Sequence, residues 1–160
     1  MKIIFLDIDG VLKEDKQGAP FLEESFILLK QLVDRTGAVL VMSSSWKVKY
    51  KAFVDNGYQT DIEDISSLYA ILKRNGLSVF DYTPYLNIDK AVRRPAEIRE
   101  FLAAAKDAES FCILDDRDEF DWAELQENLV LTFLGKTADG EKQAHLTEEH
   151  ILRAEVILNS

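Results

Sequence analysis

Short, uninterrupted apolar runs alternate along the chain with segments whose apolar residues recur at helical spacing. Ile3 to Leu6, Ala38 to Met42 and Phe111 to Leu114 are apolar throughout, as suits strands of a parallel sheet covered on both faces. Val79 to Tyr82 and Leu129 to Leu131 predict two shorter strands. Between them, Leu22, Phe26, Leu29 and Val33 mark a helix that Gly37 ends. Trp46, Tyr50, Phe53 and Val54 fall on one face of a second, stopped at Asn56-Gly57. A third is predicted over about 65–75, with Leu68, Ile71 and Leu72 inward and Gly76 as terminator. Pro95 suits a first helical position, with Ile98, Phe101, Leu102 and Ala105 continuing that helix. Thr147, followed by Glu148 and Glu149, caps a final helix through Ile151, Ala154 and Leu158. Strands alternating with helices predict an α/β fold: helices covering a mainly parallel sheet with right-handed crossovers, in a single domain over 1–160. Residues 13–20 are expected to form a loop over the strand ends, and 135–146, with Gly135 and Gly140, the most mobile loop.

Composition narrows the classes. With 160 residues, 47% apolar and 30% charged, the chain can bury a core without disulfides or metal staples. The formal net charge of -10 opposes charge-driven binding to nucleic acid or anionic membranes, although a local basic groove can still take a phosphorylated end. The one cysteine, Cys112, sits in an apolar run and is expected to be a buried thiol. No apolar stretch approaches a membrane span, and Asp7 interrupts the first run too early for a signal peptide. A cytoplasmic location is the default expectation.

The chemistry lies where strands end. Asp7 and Asp9 follow the first strand, and Gly10 lets the backbone turn; Ser43 to Ser45 follow the second; Asp115 and Asp116 follow Leu114. Asp and Gly after a strand also make ordinary turns, but in a parallel sheet these ends share one edge, where ligands bind. Four carboxylates gathered there repel one another unless a cation neutralises them, and hard oxygen ligands suit Mg2+. Asp118 and Asp121 either add ligands or form a solvated helix start. A serine between a strand and a helix offers a hydroxyl and free backbone N–H groups to a phosphate; Ser44 or Ser45 can cap while Ser43 faces the ligand. Lys90, Arg93 and Arg94, just before Pro95, are the candidate cations for phosphoryl charge.

DIDGVL at 7–12, the serine after VLVM, the basic residues at 90–94 and ILDD at 113–116 occur in the order of the four motifs of the haloacid dehalogenase (HAD) superfamily of magnesium-dependent phosphatases, which the chain resembles. SSSWK, RPAEIREFL, ILDDRDEF and the closing LTEEH helix look more narrowly like the phosphatase-type domain of Swiss Army Knife RNA repair proteins. LDDRD is also similar to a motif in the phosphatase half of phage polynucleotide kinase. The resemblance implies a Rossmann-like HAD core and a magnesium-dependent phosphomonoester hydrolase. Asp7 is then the nucleophile and Asp9 the general acid and base. Ser43 and Ser44, with Arg94 or Lys90, hold the phosphoryl group, and Asp7, Asp9 (through its backbone carbonyl), Asp115 and Asp116 hold the metal. Where the superfamily usually has a lysine before the third-motif helix, this chain has Arg94 before Pro95 and Lys90 further back.

The stretches 13–37 and 58–92 leave little room for a cap domain, so an open site is expected. Together with the RNA-repair resemblance, that points to a phosphorylated small molecule or nucleic-acid end as substrate, here the phosphate of a nucleotide or polynucleotide terminus. Loop 13–20, Trp46, Lys47 and Arg93-Arg94 are then the outer surface, with Trp46 placed to stack a base. The alternative is a non-enzymatic module of the same fold, phospho-accepting or purely interacting. Receivers, however, place their acid pair at the first strand and the acceptor aspartate at a later one, whereas here Asp-x-Asp-Gly comes first and the doubled acid, Asp115-Asp116, late.

Overall fold

The computed structural model describes residues 1–160. Five parallel strands, β1 (Lys2–Leu6), β2 (Val39–Met42), β3 (Val79–Tyr82), β4 (Ser110–Asp115) and β5 (Leu129–Leu131), form a sheet in the order β3-β2-β1-β4-β5. The chain runs outward from β1 to β3, then returns to place β4 on the other side of β1. That reversal opens a crevice at the carboxyl ends of β1 and β4.

The apolar runs divide by alternation between two cores. Ile4 and Leu6 of β1, Leu40 and Met42 of β2, and Cys112 and Leu114 of β4 face one core. It also takes residues from α1 (Glu23–Thr36), α2 (Lys47–Asp55), α3 (Glu63–Arg74) and α5 (Glu148–Leu158). Ile3, Phe5, Val41 and Ile113 point the other way, onto α4 (Lys90–Ala104) and the 3-10 helix Ala123–Asn128. Period-two alternation within wholly apolar strands thus gives the three-layer Rossmann-like sandwich. α1 ends where predicted, with Gly37 in the left-handed region at φ 70° and its N–H donating to the Val33 carbonyl. No cap domain interrupts the core, and no helix is long and apolar enough to cross a membrane.

Two expectations need correction. α4 does not start at Pro95 but five residues earlier, where the Asp89 carboxylate caps it by accepting from the Ala91 N–H at 2.9 Å. Proline inside a helix leaves the carbonyl four residues back without its donor. Here that is Ala91, and its oxygen accepts from the Asp121 N–H at 3.0 Å instead. The helix continues through Pro95, and the replacement bond ties it to the loop after β4. Residues 135–146 are likewise no featureless loop. Most belong to an antiparallel hairpin, β6 (Phe133–Lys136) with β7 (Lys142–Ala144), beside the parallel sheet. Glu14 fastens it to the first loop: its Oε2 accepts from the Ala144 N–H at 2.8 Å, and its Oε1 lies 2.6 Å from His145 Nδ1.

Candidate active site

The parallel ladder continues past the named strands. Asp7 N–H donates to the Leu114 carbonyl, Ser43 N–H to Leu6, Thr83 N–H to Met42 and Thr132 N–H to Asp115. These bonds set Asp7, Ser43 and Asp115 along one edge. Carboxylate oxygens of Asp7, Asp115 and Asp116 lie within 4.8 Å of one another, and all three side chains are buried.

Three cations offset them, Arg94 and Lys142 from distant parts of the chain and Arg117 from the residue after Asp116. Arg94 Nη1 is 3.0 Å from Asp7 Oδ2 and donates to Asp115 Oδ2 at 2.8 Å. Lys142, on the hairpin, places Nζ 2.5 Å from Asp116 Oδ2, and Arg117 Nε lies 3.8 Å from Asp116 Oδ1, so Asp116 is held by ion pairs rather than by hydrogen bonds of regular geometry. Burial pushes the Asp115 and Asp116 carboxyls up from the ordinary range and the Asp7 charge adds to this, with Arg94 opposing at Asp115 and Lys142 at Asp116. Burial works against the Arg94 charge, but Asp7 and Asp115 outweigh it and hold the guanidinium protonated. The three converging carboxylates, with Asp116 making no hydrogen bond of regular geometry, form a hard-oxygen donor set that fits a divalent cation.

Gly10 makes this packing possible. Its φ is 82°, and a Cβ there would sit 2.2 Å from Asp116 Cγ and Oδ2. Asp116 therefore needs a residue at position 10 with neither side chain nor aversion to the left-handed region.

Asp9 stands outside the carboxylate cluster. Lys13 Nζ donates to its Oδ1 at 3.2 Å and Trp46 Nε1 to its Oδ2 at 2.9 Å. Its side chain is 31% exposed, against 4% for Asp7. Trp46, expected as an outer stacking surface, is half-buried, with its ring edge-on to Phe21 at 5.9 Å and its N–H committed to Asp9. Asp118 and Asp121 are exposed and outside the cluster.

The serines divide their work. Ser44 Oγ accepts from the Trp46 N–H at 3.2 Å, and its carbonyl accepts from Lys47 N–H, which builds the turn into α2. Ser43 Oγ is buried without a partner and lines a cleft of about 220 Å³, whose wall includes the Arg94 that pairs with Asp7 and Asp115. Lys47, expected on the outer surface, is 4% exposed in the wall of that cleft. Its ammonium pairs with Glu97 Oε2 and donates to Thr83 Oγ1 at 3.0 Å, while Glu97 Oε1 accepts from the Leu86 N–H. An ammonium has three donors, so one remains for the cleft. Lys90 does not share the place of Arg94: it is the first residue of α4, exposed at the cleft mouth.

A family model described as the HAD domain in Swiss Army Knife RNA repair proteins matches residues 3–136. The chain belongs to this family. No curated protein and no solved structure matches the sequence. The HAD segment holds Asp7, Asp9, Ser43, Lys47, Arg94, Asp115 and Asp116, and the buried acidic cluster is compatible with a HAD active site. Lys142 lies beyond the matched residues, so its ion pair with Asp116 comes from outside the HAD match.

Proposed function

We propose that the protein is a metal-dependent phosphomonoester hydrolase acting on the terminal phosphate of a nucleotide or polynucleotide. The observation that carries this is the convergence of the buried Asp7, Asp115 and Asp116 carboxylates within 4.8 Å of one another, in a chain of the HAD family. Asp7, Asp115 and Asp116, with the Asp9 carbonyl, would hold Mg2+. The ion supplies charge neutralisation, which lets a carboxylate approach an anionic phosphate.

The chain's own residues account for the rest. A carboxylate oxygen of Asp7 attacks phosphorus; the bond from phosphorus to the ester oxygen breaks, and Asp9 gives that oxygen its proton. Asp9, now ionised, takes a proton from water, whose oxygen displaces Asp7 and releases inorganic phosphate. Ser43 Oγ, the third Lys47 donor and Arg94 surround the phosphoryl oxygens, whose negative charge the buried donors stabilise. The basic cleft supports the nucleotide assignment, since it offers positive charge locally on a chain of net charge -10.

Phosphate release from an aryl phosphate, with Mg2+ and after exhaustive chelation, tests this reading. Turnover should require the ion and return when it is restored. Turnover that survives chelation overturns it, and uptake of a single phosphate without turnover marks a phospho-accepting module instead.

A further inference from the structure

The cleft carries more positive charge than one phosphate needs. Of its five cations, Lys47 is paired with Glu97, Arg94 with Asp7 and Asp115, and Arg117 with Asp15, Asp116 and Glu119. Lys90 and Arg93 have no carboxylate partner, and both line the mouth. They lie four and one residues before Arg94 on the fifteen-residue helix α4. Lys90 is therefore about one turn, roughly 5.4 Å of rise, further toward the positive N-terminus than the arginine that meets the carboxylates. Arg93 is held ready: its Nε and Nη2 donate to the Ile88 carbonyl at 3.2 and 2.8 Å, and its guanidinium lies 5.3 Å from the centre of the Tyr85 ring. Five guanidinium donors less two leave three for a ligand. Ser43 Oγ, 1% exposed and unpartnered, lines the same cleft. Tyr85 is 57% exposed and lines the cleft too, so part of its surface is open to stack a base.

We infer that Lys90 and Arg93 form a second phosphate subsite, which binds the phosphate adjoining the one removed. The preferred substrate is then a phosphomonoester whose next nucleotide unit brings a second phosphate, rather than an isolated monoester. This rests on the proposed phosphatase reading and adds to it a preference that the carboxylate cluster alone does not supply. A charge-assisted contact at the subsite, realised in the transition state, is expected to raise the specificity constant about tenfold.

The test uses the full chain with Mg2+ and matched pairs: a 5′-phosphorylated dinucleotide against the 5′-mononucleotide, and a 3′-phosphorylated dinucleotide against the 3′-mononucleotide. A sugar bisphosphate against its monophosphate forms a third pair without a base. The wild type should favour the dinucleotide about tenfold in kcat/KM in one of the nucleotide pairs. In Lys90→Ala/Arg93→Ala that ratio should fall toward one, as it should for the wild type in high salt. An equal gain in the sugar pair assigns the subsite to the second anion alone; a gain confined to nucleotides adds the Tyr85 stack. Binding of the same dinucleotides to the Asp7→Asn protein, read by calorimetry, should weaken in parallel when the two cations are removed. A wild-type ratio near one at both ends, a ratio unmoved by the double substitution, or no cleavage of any nucleotide overturns the inference. Aryl phosphate hydrolysis that depends on Asp7 leaves the phosphatase reading standing in each of those cases, and its absence removes that reading first.

Discussion

Asp7→Asn should lower phosphatase turnover by about a thousandfold or more, equivalent to about 4 kcal/mol of transition-state stabilisation. An amide is a poor nucleophile toward phosphorus, whereas Asp7 at the carboxyl end of β1 is fixed beside Arg94 with Oδ1 accepting the Ile8 N–H at 2.9 Å. Asparagine keeps an oxygen for that N–H and removes one charge from a cluster of three buried acids. The fold should therefore survive with unchanged or slightly higher stability, because like-charge repulsion falls. Denaturant titration beside the rate assay separates the two effects. A variant that retains wild-type turnover would remove Asp7 from the chemistry, and one that unfolds would show that the Arg94 contact supports the fold.

The second large effect concerns stability. Glu97→Ala should destabilise the protein by about 3–5 kcal/mol, since it leaves the Lys47 ammonium buried against Thr83 without its counter-charge. It also deprives the Leu86 N–H of its acceptor. That loss is a large part of the roughly 5–15 kcal/mol available to an ordinary domain. Burial already draws the Lys47 ammonium below its usual range against the opposing pull of Glu97, so removing the carboxylate tips the balance toward deprotonation or unfolding. A Lys47→Met/Glu97→Leu protein, which buries neither charge, should recover most of the stability and little of the activity. Urea midpoints for the three proteins check this. A Glu97→Ala midpoint equal to wild type would show that the pair is solvated.

The strands and most helices were legible because a sheet covered on both faces demands unbroken apolar runs, and the helices between them end at Gly37, Gly57 and Gly76. Asp7, Asp9, Ser43, Asp115 and Asp116 could be named because strand ends in a parallel sheet converge without any knowledge of side-chain packing. Lys47 could not. A lysine at the start of a helix ordinarily lies in water, and its partner Glu97 is fifty residues away on a helix whose start Pro95 disguised. The proline rule failed because it counts one helix at a time, while the freed Ala91 carbonyl is satisfied by Asp121 from another segment. Lys142 was hidden for a related reason: a polar, glycine-containing stretch suggests a loop until the Glu14 contacts fold it back onto the site. No motif marked Lys142, which lies beyond the residues that match the HAD domain.

The covalent step at Asp7 is the claim on which the account turns, and Asp9→Asn exposes it most directly. p-Nitrophenolate leaves without needing a proton, so this variant should still transfer the phosphoryl group from p-nitrophenyl phosphate to Asp7, while water activation is lost. Rapid acid quenching followed by intact-mass and peptide analysis should find one phosphoryl group per chain, on the peptide that contains Asp7, and none in Asp7→Asn/Asp9→Asn. A chain that carries no adduct, or carries it on a residue other than Asp7, contradicts the account.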